Sequence, residues 1–133
     1  KNDALTAQNG VAECEAAYKA LKRPFDVTIL GMGPDGHTAS LFPHAEGLEH
    51  GLATDDLVCA INAIESDVTG KITERMTLTL AAIADSKVVK LLISGEEKLA
   101  VYKQAKEGGA VADMPLRAVL NHPHINIEVY WAP

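Results

Sequence analysis

The chain has 133 residues, enough for one domain, or a piece of one, with a modest core. Apolar residues make up 47 % and charged residues 23 %, and no run of about 18 apolar residues occurs, which excludes a membrane-spanning helix. The net charge of −6 argues against a nucleic-acid backbone as partner, yet a few local cations and backbone N–H groups suffice to hold a small anion.

The chain opens in polar sequence without Met. An upstream segment is therefore expected to be absent, and with no basic-then-apolar leader in view a cytoplasmic location is expected. Val11, Cys14, Tyr18 and Leu21 recur at helical spacing in an Ala-, Glu- and Lys-rich stretch, which predicts an amphipathic helix over 10–23, stopped by Pro24. Residues 25–30 (FDVTIL), followed by Gly-Met-Gly, predict a buried strand entering a loop. Residues 43–56 are polar and predict a surface loop. Further strands are predicted over 57–64 (LVCAINAI), 75–79 (RMTLT), 88–93 (VVKLLI, central in character) and 125–131 (INIEVYW). Helices are predicted over 80–84, 96–106 and 115–120. Glu96 and Glu97 suit the positive end of the second of these, Gly108-Gly109 ends it, and Asp113 and Pro115 mark the start of the third. Strands alternating with helices predict a layered, Rossmann-like α/β fold, its largely parallel sheet flanked by helices. Cys14 and Cys59, far apart and without CxxC spacing, are expected to be free thiols.

In open α/β sheets ligands sit beyond the carboxyl ends of the strands, and residues 31–40 stand at such an end. Gly31, Gly33 and Gly36 are expected to leave backbone N–H groups unshielded and to permit φ > 0, which lets a chain wrap an anion or oxyanion. Their spacing is also GxGxxG. A dinucleotide site, however, expects a helix to begin within the glycines and an acid to close a second strand about 20 residues on. Here His37 follows the third glycine, and Asp55 and Asp56 precede their strand. Asp35, two residues before His37, is placed to fix the imidazole tautomer and raise its basicity, as a water-activating base requires. Proximity in sequence leaves that contact, and a filler role for His37, both open. Ser40 lacks the GxSxG elbow of a nucleophile. His44, His50, His122 and His124 read as fillers; His122-Pro-His124 has no third ligand at a plausible spacing, and no metal site is expected.

Residues 25–43, FDVTILGMGPDGHTASLFP, are similar nearly throughout to the corresponding stretch of 6-phosphogluconolactonases. The resemblance continues in RMTLTLAAI (75–83), VVKLLISGEEK (88–98) and PLRAVL (115–120), and so covers most of the chain. GHTASLFP is its most specific part; the related sugar-phosphate deaminases continue roughly as GHIAFNEP. The resemblance implies hydrolysis of 6-phosphogluconolactone to 6-phosphogluconate in the oxidative pentose phosphate pathway, with no metal or organic cofactor. It implies His37 as the base that deprotonates water and Asp35 as the group orienting its imidazole. It implies that Gly31, Gly33, Gly36 and Thr38 line the lactone, that Lys98 holds the phosphate, and that Arg75 is a second phosphate ligand. The 133 residues would then be the C-terminal catalytic portion of a single lactonase domain. The N-terminal part, with a GGxTP-type phosphate loop and an acidic-Arg segment, would be absent. The implied partner is a small phosphorylated sugar lactone, with no nucleic acid and no membrane; the oligomeric state is not legible. The alternatives are an amino-sugar-phosphate deaminase or isomerase, disfavoured by the residues after His37, and a non-catalytic sugar-phosphate-binding module.

Overall fold

A computed structural model describes residues 3–133. In chain order its elements are α1 (Ala7–Lys19), β1 (Thr28–Leu30), α2 (Leu48–Ala53), β2 (Val58–Asn62), β3 (Glu74–Leu78), α3 (Leu80–Ala84), β4 (Val89–Ser94), α4 (Glu96–Lys106), α5 (Leu116–Leu120) and β5 (Ile127–Ala132). The apolar runs separated by helices join as a parallel sheet of order β1-β4-β5, which makes β4 central as its composition predicts. Alternation along the strands sends Leu30, Val89, Leu91 and Ile93 to one face, where they form one core with Ala105, Leu116 and Val119 of α4 and α5. The other face carries Ile29, Leu92 and Tyr130, which are about half exposed or more.

The expectation of a largely parallel sheet holds for these three strands and not for β2 and β3, which form a separate antiparallel pair, Val58 opposite Leu78 through Asn62 opposite Glu74. The reason lies in their connection. Parallel neighbours need a crossover, usually a helix, and no helix lies between β2 and β3. A turn does the work instead: Thr69 N–H donates to Ser66 Oγ, and Gly70 N–H to the Ser66 carbonyl.

Two other expectations are corrected. The predicted loop at 43–56 contains α2, entered through Gly47 at φ 89° and anchored by buried Leu48. The first helix starts earlier than its apolar pattern, at a Thr6 cap whose hydroxyl accepts the Asn9 N–H, and ends at Lys19, so Leu21 lies beyond it and is exposed. Its buried side chain is not from the apolar stripe but Glu15, whose carboxylate accepts the N–H groups of Leu57 and Val58 at 2.9 Å and pairs with Lys19 at 3.0 Å. Burial alone would raise this carboxyl. The Leu57 N–H, Lys19 and the Val58 N–H together hold it below the ordinary value. Cys14 and Cys59 are free thiols, as expected, and burial, then the charge of Asp56, push Cys59 up to about 11. Among the described residues no helix is long and apolar enough to cross a membrane.

Candidate active site

Beyond β1 the chain closes on itself. Gly33 N–H donates to the His37 carbonyl at 3.0 Å, and Gly36 N–H donates to the Gly33 carbonyl at 3.0 Å. The expectation that these two glycines offer free N–H groups is thus corrected, because the loop uses them to hold its own shape. Thr38 is fully buried, and its hydroxyl donates to the Gly31 carbonyl at 2.8 Å, clasping the two ends of the turn. Gly36, at φ 78°, lies over Met114, and its carbonyl accepts the Leu116 N–H at 3.0 Å. From the other side β3 takes hold through Thr77, whose hydroxyl accepts the Ser40 N–H at 3.0 Å.

His37 is fixed on three sides. Its Nδ1 is 2.6 Å from Asp35 Oδ1, and the same oxygen accepts its backbone N–H at 3.1 Å. Its ring lies 4.2 Å from that of Phe42, tilted by 33°. On the third side is Gly33, where a Cβ would stand 2.2 Å from the imidazole. With Nδ1–H given to the carboxylate, the lone pair is left on Nε2, the atom a general base uses. The side chains of His37 and Asp35 remain 19 % and 26 % exposed, so solvent and ligand reach them.

An open cleft of about 730 Å³ adjoins this pair. Its lining includes Gly31, Gly33, His37 and Lys98, joined by Asp67 and Val68 from the loop between β2 and β3. Two other clefts, of about 690 and 670 Å³, lie along α1 and include neither His37 nor Lys98, so the chemistry selects the first. Lys98 sits in the first turn of α4, whose entry residue Gly95 is held by N–H donation to the Ala132 carbonyl and by Trp131 Nε1–H donation to its own carbonyl. A cation at the positive end of a helix is locally unfavourable, and together with the first-turn N–H groups it makes a place for an anion. Gly36, Thr38 and Arg75 are not among the residues lining the cleft. Arg75 Nε and Nη2 donate to the carbonyls of Ile72 and Thr69.

Comparison with known proteins settles the family. The model of the glucosamine-6-phosphate isomerases and 6-phosphogluconolactonases matches residues 1–131. The chain belongs to this family. A 6-phosphogluconolactonase of Mesorhizobium japonicum is 39 % identical over 99 % of the chain and 53 % of its own length, and one of Neisseria meningitidis is 41 % identical over 91 % and 50 %. The crystal structure of a 6-phosphogluconolactonase from Shewanella baltica superposes with a TM-score of 0.91 at 40 % identity, covering all of this chain and 55 % of that one. The chain thus spans about half the length of the relatives it matches.

Within this family member, the structure adds three residues that sequence reasoning missed. Asp67 and Val68 lie in a loop without any motif, and only the fold of the β2–β3 pair brings them to the cleft. Phe42 stood inside the GHTASLFP segment; its spacing of five residues from His37 carried no signal of a stacked ring. His44 pairs instead with Asp113 at 2.9 Å on the surface, while the rings of His122 and His124 meet edge to face, 5.9 Å between centroids, and His122 Nδ1 accepts the His124 N–H at 3.3 Å.

Proposed function

We propose that this chain supplies the base and the phosphate-holding cation of a 6-phosphogluconolactonase, hydrolysing 6-phosphogluconolactone to 6-phosphogluconate in the cytoplasmic, oxidative pentose phosphate pathway. The observation that carries the reading is the 2.6 Å contact of Asp35 with His37 Nδ1 in a cleft that Lys98 shares. Names borne by relatives at 39–41 % identity support the same reaction.

His37 Nε2 takes a proton from water as the water oxygen attacks the lactone carbonyl carbon. Asp35 stabilises the imidazolium that forms and keeps its free nitrogen aimed at the cleft. The tetrahedral adduct collapses with cleavage of the bond between that carbon and the ring oxygen, which takes the proton back from His37. One water is consumed, one carboxylic acid and one hydroxyl are made, and the base returns to its starting state. The Gly31 to Gly33 backbone forms the floor against which the lactone lies, Thr38 and Gly36 hold that floor in shape, and Lys98 with the first turn of α4 receives the phosphate.

The test is His37→Asn in the protein as its gene encodes it, with spontaneous lactone hydrolysis subtracted. Turnover is expected to fall about 10²–10⁴-fold while thermal unfolding is preserved. Turnover within a few-fold of the parent would remove His37 from the role of base.

A further inference from the structure

Arg75 stands outside the cleft, yet it touches two groups that shape it. Nε and Nη2 donate to the carbonyls of Ile72 and Thr69 at 2.7 and 2.8 Å, which fastens the loop bearing Asp67 and Val68. Its Cζ lies 5.9 Å from the centroid of the Phe42 ring, and that ring lies 4.2 Å from the imidazole of His37. Two positions along β3, Thr77 projects from the same strand face and accepts the Ser40 N–H. One face of β3 therefore grips the catalytic loop at Ser40 and again at Phe42.

Building on the reading of His37 as base, we infer that Arg75 is a positioning residue of the hydrolysis. Through Phe42 it fixes the plane of the imidazole. Through the Thr69 and Ile72 carbonyls it fixes the cleft wall that carries Asp67 and Val68. The guanidinium suits both tasks, because its planar fork satisfies two carbonyls at once while its charge attracts the aromatic ring. A residue engaged in this way sets the distance between base and wall, and such distances govern the rate once substrate is bound. A phosphate ligand acts differently: it binds ground and transition states about equally and is felt in KM.

The two roles separate in one experiment, made on the protein as its gene encodes it. Arg75→Met, Arg75→Lys, Phe42→Leu and the Arg75→Met/Phe42→Leu pair are compared for kcat and KM on the phosphorylated lactone and on unphosphorylated gluconolactone. The His37 ring proton is followed by NMR, since the ring current of Phe42 reports their stacking. Arg75→Met should lower kcat on both lactones by about 10- to 100-fold, with KM changed by less than about threefold. Arg75→Lys, which retains a cation and one donor centre, should recover part of the loss. The double variant should lose less than the two single losses combined, because part of the Arg75 effect runs through the Phe42 ring. The imidazole signal should move in each Arg75 variant. A rise in KM confined to the phosphorylated lactone with kcat kept, additive losses in the double variant, or an unmoved imidazole signal would each overturn the inference. Should Arg75→Met fail to fold, Arg75→Lys carries the same comparisons. If the parent protein opens no lactone, the proposed reaction falls, and the imidazole signal by itself decides whether Arg75 positions His37.

Discussion

Gly33→Ala is the sharpest single test of the site's geometry. A Cβ at this position would lie 2.2 Å from both Cε1 and Nδ1 of His37 and 2.7 Å from Asp35 Oδ1. Ordinary contact begins near 3.4 Å, so the imidazole must retreat by about 1.2 Å and the carboxylate by about 0.7 Å. The atoms that must move are those of the proposed base and of its partner. A misplacement of about 1 Å costs on the order of 10²-fold in rate, or about 2.7 kcal/mol of barrier, and complete loss of a general base sets the ceiling at about 10⁴-fold. Stability should respond far less. The backbone of Gly33 is outside the left-handed region, so alanine fits it, and alanine gains about 0.4–1 kcal/mol by restricting the unfolded chain. The imidazole is part-exposed and has solvent to swing into. Initial rates of lactone opening, with the spontaneous reaction subtracted, are read beside thermal unfolding of the same preparations. Gly31→Ala is the internal comparison, since a Cβ there meets nothing within 4 Å, and it should lose far less than Gly33→Ala. A folded Gly33→Ala protein that turns over within about threefold of its parent would refute the placement of the ring, its role, or both.

Lys98→Ala should raise KM for the phosphorylated lactone more than it lowers kcat, because a cation holding a remote phosphate contributes about equally to ground and transition states; an unchanged KM would take Lys98 out of the site. For Glu15 the folded carboxyl titrates below its ordinary value near 4.5, so the stability it contributes is fully present above that pH and is lost as pH falls through the folded value. Glu15→Gln should therefore be less stable than the parent at pH 7 by about 1–3 kcal/mol. The gap should close on acidification, as urea unfolding at neutral pH and near pH 3 would measure.

The sequence reading of the fold succeeded where a local rule was applied in full. The helix at Leu80–Ala84 follows Thr79, whose hydroxyl accepts the Ala82 N–H, and α4 begins and ends where its acids and the Gly pair place it. The direction of β2 against β3 was legible in principle, since ten-odd residues without a helical pattern cannot return a strand parallel to its neighbour. What no local rule supplies is the partner of Glu15, 42 residues away at Leu57. A helix scored by its apolar stripe gives Val11, Cys14, Tyr18 and Leu21 the inward face. The two N–H groups at the start of β2 need an acceptor, and the helix presents Glu15 to them.

The site divides along the same line. Asp35 and His37 are two residues apart, so their contact is a property of the loop and could be suspected from the loop. Lys98, Phe42, Arg75 and the Asp67 wall acquire their meaning only from placement. Even so, three residues stand out once placed, because each breaks a local rule. Lys98 is a cation in a first helical turn, where the macrodipole opposes it. Glu15 is a carboxylate that folding buries. Gly33 is a glycine whose backbone makes no demand for glycine. A local rule is broken in a stable fold when something distant compensates, or when chemistry requires the exception. Two N–H groups compensate for Glu15, and the cleft accounts for Lys98. Gly33 is the most telling, since the imidazole above it and its Asp35 partner forbid a side chain, so the missing Cβ is the impression that the His37–Asp35 pair leaves in the sequence.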